Sequence, residues 1–229
     1  MKLSELVFRS VKNTIYFDDT SFSFLEFKKG TFNGDPDYAL NLNNVYAPLN
    51  EAISRLSDLE KIPYQVLAVK SNMLEKNIVD LKKFENEYNT SVKEVVNVGV
   101  FNGLQCEKVP HYMFGHDKVV IEEPTNKDLY IEFKQDIPYL DEEKYHYVYD
   151  ENGEEVAGDS FDVDLKEYGI TDSMCNYIME YVKGNLGSVV GEEVANMHLT
   201  RAEQYFNNIQ DNTYTFGQKL VKAKCPIRR

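Results

Sequence analysis

Apolar side chains recur at three- and four-residue spacings in four stretches of the chain, with alternating or continuous apolar runs between them. Leu3, Leu6, Val7 and Val11 fall on one face of a short helix over 3–12, with Ser4 as its N-cap. Residues 14–28 alternate loosely through Ile15, Phe17, Phe22, Phe24 and Phe27, which predicts a strand or hairpin. Gly30 to Asp37, with Asn33-Gly34 and Asp35-Pro36, has loop chemistry. Val45, Leu49, Ile53, Leu56 and Leu59 then form the stripe of a helix over 44–60. Pro48 sits in the first turn of that helix, where a missing N–H costs little, and Pro63 marks its end. Tyr64 to Val69 reads as a strand.

From 77 to 135 the pattern is mostly extended. Val92–Phe101 is Val-rich and bounded by Asn102-Gly103, as a central strand is. Lys118–Glu123 and Asp128–Gln135 are two more strands, and Glu122 to Lys127 supplies a hairpin loop between them. Residues 136–164 hold eleven acids and one Lys. Inside them Asn152-Gly153 lies between Tyr145–Tyr149 and Glu154-Glu155-Val156, which predicts a protruding β-hairpin or acidic loop. Met174, Ile178, Val182 and Leu186 stripe a helix from Thr171 or Asp172 to Asn185. Val194, Met197, Arg201, Ala202, Tyr205 and Phe206 lie along a second, from Glu192 to Ile209, joined to the first as an αα-hairpin.

These elements predict an α+β fold: a helical bundle of N-terminal helices and C-terminal αα-hairpin, with an inserted antiparallel β-rich region. One domain is expected over 1–210, with its β-rich middle at about 64–135, its acidic hairpin at 136–164 and its helix pair at 171–210. An extended C-terminal arm, 211–229, follows. At 229 residues the chain can bury a core without a metal or disulfide staple.

Charge changes the picture more than composition does. The net charge is −13, yet Lys219, Lys222, Lys224, Arg228 and Arg229 close the chain with no acid among them. The preceding 218 residues therefore carry 20 positive and 38 negative charges. Such a body repels phosphate backbones and argues against broad nucleic-acid binding. A basic arm on an acidic body can dock on the acidic surface of a partner, including another copy of the chain. Cys106, Cys175 and Cys225 are odd in number and form no CxxC pair, so neither a disulfide framework nor a zinc knuckle is expected. The opening Met1-Lys2-Leu3-Ser4-Glu5-Leu6 lacks a signal-peptide core, and no apolar run approaches the ~20 residues of a membrane span.

Candidate chemistry is sparse, and no catalytic, metal or cofactor residues are assigned. His111, His116 and Asp117 are close in sequence, but their spacing matches no zinc pattern. Around Gly153 a calcium loop would need Val148 as its first ligand, which has no side-chain oxygen. Gly184, Gly187 and Gly191 have the wrong spacing for a phosphate cradle and suit a turn between helices. Cys106 with His111 or His116 could form a thiol–imidazole pair, although nothing in the spacing requires it. Asp159, Asp162 and Asp164 could gather a magnesium ion, and Asp37 with Glu132 and Lys134 could form a nuclease site. So acidic a body lacks the cations to hold a phosphate substrate, which weakens both.

The order of elements resembles the head-to-tail adaptor, or connector ring, proteins of tailed bacteriophages, of the short-tailed and crAss-like kinds. Four stretches carry the likeness: the opening Leu3-Ser4-Glu5-Leu6-Val7-Phe8 helix; the helix of Tyr46, Pro48, Leu49, Asn50, Ala52, Ile53, Arg55 and Leu56 followed by a strand; the β-rich middle ending at Tyr130–Phe133 before Ile137-Pro138; and the closing helix pair through Tyr177, Ile178, Tyr181 and Val182, then Arg201, Tyr205 and Phe206. The resemblance implies a virion structural protein rather than an enzyme. It further implies self-association into a ring, usually of twelve copies, beneath a portal protein and above tail or further ring proteins, made in host cytoplasm and placed at the head–tail junction. It makes Tyr214, Phe216, Leu220, Lys222, Arg228 and Arg229 the docking residues of the arm. An acidic channel lining would let DNA pass without sticking. The competing expectations are a metal-dependent enzyme built on the Asp cluster and a bacterial scaffold or regulatory protein.

Overall fold

The computed structural model describes residues 1–12, 14, 23–30, 36–71, 77–88, 90–101, 106–123, 125–187 and 191–209, with backbone alone at 36–43, 87–88, 101 and 106. The chain is α+β, and it divides into two compact units, one of residues 1–62 with 138–211 and one built on 63–137. The region expected to be the β-rich middle, about 64–135, falls in the second unit.

The first unit is built around α5 (Asp172–Leu186). Sequence periodicity gives α5 one stripe, but Cys175, Tyr177, Glu180 and Gly184 are buried as well as Met174, Ile178, Val182 and Leu186. Burial on several sides follows from its neighbours, because α1 (Leu3–Val11), α3 (Pro36–Asp58) and α6 (Glu192–Asn208) all pack on it. Helices α5 and α6 run antiparallel: Tyr177 meets Phe206, with ring centroids 5.1 Å apart, and Gly184 meets Leu199. The end of α6 is fastened to α3 and the turn after it. Arg55 forms a two-pronged ion pair with Glu203 and lies 4.4 Å from the Phe206 ring, while the Lys61 ammonium donates to the Ile209 carbonyl at 2.9 Å.

Three helical expectations change. Helix α3 begins at Pro36, not near Asn44, so Pro36 and Asp37 belong to helix rather than loop and Pro48 lies inside it. Asp35-Pro36 thus reads as a helix start, with proline at the position that has no N–H to waste. The strand expected over 14–28 gives way at Phe24–Lys28 to a short helix, α2, whose start is a capping box. There the Ser23 hydroxyl accepts from the Glu26 N–H, and Glu26 accepts from the Ser23 N–H at 2.7 Å. Ile15, Phe17 and Phe22 lie outside the described residues. Ser4 is not the N-cap of α1. Lys2 occupies that position and makes no side-chain cap.

The second unit holds two antiparallel sheets. Strands β1 (Gln65–Val69), β3 (Val92–Phe101), β4 (Cys106–Lys108) and β7 (Leu129–Gln135) make a sheet of order β1-β7-β3-β4. Strands β2 (Ile78–Asp80), β5 (His111–Phe114) and β6 (Lys118–Ile121) make one of order β2-β6-β5. Val92–Phe101 does sit inside its sheet, between β7 and β4. The two sheets share one core, in which Leu67, Val98, Leu129 and Ile131 from the larger meet Val79, Val119 and Ile121 from the smaller. Helix α4 (Leu81–Tyr88) adds Leu81 and Phe84, three residues apart, and replaces extended chain expected there. The hairpin expected between 118–123 and 128–135 is also corrected. Strands β6 and β7 pair in different sheets, so Glu122 to Lys127 crosses from one sheet to the other.

Candidate functional site

The acidic segment is where sequence chemistry concentrated, and the fold places it against the start of the chain. Leu140 is pinned first: Asn50 on α3 donates to its carbonyl at 2.7 Å and accepts from its N–H at 2.9 Å. Strands β8 (Tyr145–His146) and β9 (Phe161–Asp162) then pair antiparallel. The N–H of Leu3 donates to the Val163 carbonyl at 2.9 Å and that of Leu165 to the Met1 carbonyl at 3.2 Å, with a bridge at Lys2 and Asp164. The base of the segment is therefore laced to the first helix, while its turn at 150–155 is exposed.

The Asn152-Gly153 turn forms, with Gly153 at φ 78° where glycine has no steric penalty. Asp150 accepts from the Asn152 N–H at 2.8 Å and the Glu154 N–H at 2.9 Å. These bonds, that of Glu154 above all, hold its carboxyl below the ordinary value. Two cations from the α2 end brace the hairpin. Lys28 pairs with Glu155 at 2.8 Å and stands 4.1 Å from the Tyr147 ring centroid, and Lys29 stands 5.9 Å from that of Tyr149.

Two of the three Asp side chains considered as magnesium ligands have separate local tasks. Asp162 accepts from the Ser4 N–H at 3.0 Å, the Ser4 hydroxyl at 2.6 Å and the Tyr147 hydroxyl at 2.5 Å. It caps α1 from 158 positions away in sequence. Burial first, then the bond to Asp162, pushes the Tyr147 hydroxyl well above its ordinary pKa. Asp164 accepts from the Lys166 N–H at 3.1 Å and pairs with the Met1 ammonium at 3.6 Å. The Asp159 carbonyl meets His146 Nε2 at 2.8 Å. Among the described residues no three His, Cys, Asp or Glu side chains gather as a metal site.

The remaining candidates are also placed. His111 lies on β5 with Nδ1 3.0 Å from the Val109 carbonyl, and His116 and Asp117 occupy the β5–β6 turn. Cys106 opens β4, and its side chain lies outside the described residues. Asp37 falls in one unit, Glu132 and Lys134 in the other. Gly184 lies within α5 rather than in a turn, whereas Gly187 and Gly191 flank the connection with φ of 81° and 121°. The arm residues Tyr214, Phe216, Leu220, Lys222, Arg228 and Arg229 all lie outside the described residues.

Sequence reasoning passed over two polar pairs, each built on a buried Glu. His198 Nδ1 and Glu180 Oε2 are 2.7 Å apart between α6 and α5. Burial, followed by the nearby Arg201 charge and opposed by Glu180, lowers the pKa of Lys183 beside them. In the β-rich unit Glu132 is buried on β7 and accepts from the Asn97 amide on β3 at 2.6 Å. This pairing depends on register, which the sequence does not display: a bulge between Val95 and Asn97 brings Asn97 opposite Glu132. The buried thiol of Cys175 is pushed up to about 11 by desolvation, and the Tyr177 hydroxyl to about 12 by the same cause. Neither group supplies an ionised nucleophile or base at neutral pH.

Glu132 gives a pH test. Burial raises its carboxyl pKa, against the pull of Asn97 and Lys108. The folded state thus holds this proton more tightly than the unfolded chain, and ionisation above the raised value costs stability. Glu132→Gln is expected to raise stability near pH 7 by about 1 kcal/mol. The gain should vanish below the ordinary Glu range, where both states are protonated. Urea unfolding of both proteins between acid and neutral pH checks it, and a gain independent of pH would refute it.

The fold and these contacts define an α+β protein with a helical unit, a two-sheet unit and an acidic segment sewn to its own N-terminus. Compared with protein-family models and with curated proteins, the chain matches none significantly. No helix among the described residues is long and apolar enough to cross a membrane.

Proposed function

We propose that this chain is a virion structural protein, a subunit of the head-to-tail connector ring that links a portal to a tail. The observation that carries the reading is the partition of charge along the chain. Residues 1–62 and 138–211 hold 26 acids against 11 Lys and Arg, while 63–137 hold 12 against 9. The arm holds five cations after Asp211 and no acid. A polypeptide whose helical unit is strongly anionic and whose end is cationic carries both halves of a subunit-to-subunit contact. The element order supports the same reading, since opening helices, a β-rich insertion and a closing helix pair occur in the sequence expected of the connector proteins. The local tasks of Asp162 and Asp164 occupy two of the three acids on which the enzymatic alternative was built.

Mass photometry of the full chain, alone and mixed with the products of genes adjacent to its own, tests the proposal. A cyclic oligomer, or binding to a portal ring, is the expected result, with subunit contacts burying over ~1,000 Å². A stable monomer that ignores each partner would overturn it. Reversing Lys219, Lys222, Lys224, Arg228 and Arg229 to Glu should weaken assembly by at least about tenfold, and added salt should weaken the unaltered protein in the same direction.

A further inference from the structure

Strand β5 ends the smaller sheet, and its backbone bonding can be phased. The Glu122 N–H donates to the Pro110 carbonyl at 3.1 Å, and antiparallel bonded pairs alternate, so Tyr112 and Phe114 exchange bonds with Val120 and Lys118. The N–H and C=O groups of His111 and Met113 therefore face away from β6. On the outer sheet face, with their partners Val120 and Lys118, Tyr112 is 52% exposed and Phe114 65%, while Val119 and Ile121, opposite Met113 and His111, are buried in the core. Edge strands are normally protected by a charge, a proline or a bulge. The His-Tyr-Met-Phe run holds no Asp, Glu, Lys or Arg, pairs with β6 in unbroken register, and is preceded by a proline whose missing N–H faces β6 rather than the edge.

We infer that this edge is a docking site for the Thr213-Tyr214-Thr215-Phe216 segment of a second copy, added as an antiparallel strand. The inference rests on the connector reading for the meeting of copies, and names where the arm goes. Alternating β-branched and aromatic residues give the segment strand character and put Tyr214 and Phe216 on one face, beside Tyr112 and Phe114. Charge sets the direction. Exposed Glu122, Glu123 and Glu107 outweigh Lys108 at the His111 end of β5, whereas at the Phe114 end Asp117 is paired with Lys82 at 3.5 Å and Lys118 follows it. An antiparallel arm brings Lys219, Lys222 and Lys224 toward the acidic end and Asp211 toward Lys118. Seven Cα-to-Cα steps lead from Ile209 to Phe216, so the donor helix must end within roughly 25 Å of the edge it feeds.

The test is a photo-cross-link in the full chain. Protein carrying Phe114→p-benzoylphenylalanine is mixed with ¹⁵N-labelled unaltered chain, irradiated and mapped by mass spectrometry, with mass photometry of the same mixture. A light peptide holding the probe joined to a heavy peptide holding Tyr214 and Phe216 is the expected result. Met113→Pro, which removes an edge N–H but no bond to β6, should reduce association at least tenfold. Links confined to light peptides overturn the inference in favour of a contact within one chain. Assembly without the heavy–light link overturns it while the connector reading stands, and a monomer that also gives no link with the portal present overturns both.

Discussion

Gly184→Val is expected to destabilise the protein by about 3 kcal/mol, and Gly184→Ala by about 1–2 kcal/mol, as overpacking at a helix contact does. A Cβ at this position would lie 2.5 Å from Leu199 Cγ, 2.6 Å from its Cδ2 and 3.1 Å from its backbone nitrogen. The first two atoms could turn aside, but the nitrogen belongs to α6 itself, so relief requires the helices to separate. The sign is the informative part. In an open helix alanine is favoured over glycine by about 1 kcal/mol, so an isolated α5 would gain from the change. Urea unfolding of Gly184→Ala, Leu199→Ala and their combination separates the two effects. The double variant should recover part of the Gly184→Ala loss, because truncating Leu199 removes the nearer clash. Stabilisation by Gly184→Ala alone would mean that α5 and α6 do not approach this closely.

The same glycine shows how far the sequence could be read. The i, i+4 stripe of Met174, Ile178, Val182 and Leu186 placed α5 correctly, yet Gly184 looked like part of a turn, because periodicity reports which face is buried and not how near the next helix comes. Long, strongly patterned elements such as α5, α6 and β3 could be read for that reason. Short helices could not. Helix α4 has eight residues and two apolar anchors, too few to outweigh a prior for strand in a β-rich stretch. Helix α2 was announced by Ser23 and Glu26, a signal of caps rather than of periodicity, while the aromatic run through Phe22, Phe24 and Phe27 suggested alternation. Strand pairing was hidden more deeply. Alternation in β6 and β7 gives a buried face to each, but two sheets that share one core satisfy it as well as one hairpin does.

At the acidic segment the sequence failed for a different reason. Eleven acids in 29 residues look interchangeable, and a solvated face is their ordinary fate. Asp162 is distinguished only by what the fold brings to it, namely the first turn of a helix from the other end of the chain. Ser4 carried a hint, since it was expected to serve an N–H of that helix. It instead donates its own N–H and hydroxyl, and the cap is supplied in trans along the chain.

Asp162→Ala is accordingly expected to cost about 3 kcal/mol, the scale of hydrogen bonds to a charged acceptor together with a lost helix cap. Three donors lose one acceptor, and the Ser4 N–H and hydroxyl lie on a residue with no exposed surface, so solvent does not readily replace it. Asp162→Asn should cost about half as much, because its amide oxygen still accepts while its NH₂ opposes a donor. A double-mutant cycle with Ser4→Ala should return a coupling of about 1–2 kcal/mol. Hydrogen exchange should show the amides of Leu3 and Ser4 losing protection before those of α6, since the break is at the start of α1. A magnesium ligand predicts otherwise. Metal would raise the melting temperature of the unaltered protein, and Asp162→Asn would abolish that rise. If Asp162→Ala unfolds at the same urea concentration as its parent, the carboxylate is not what ties α1 to the acidic segment, and the three bonds assigned to it contribute nothing net to the fold.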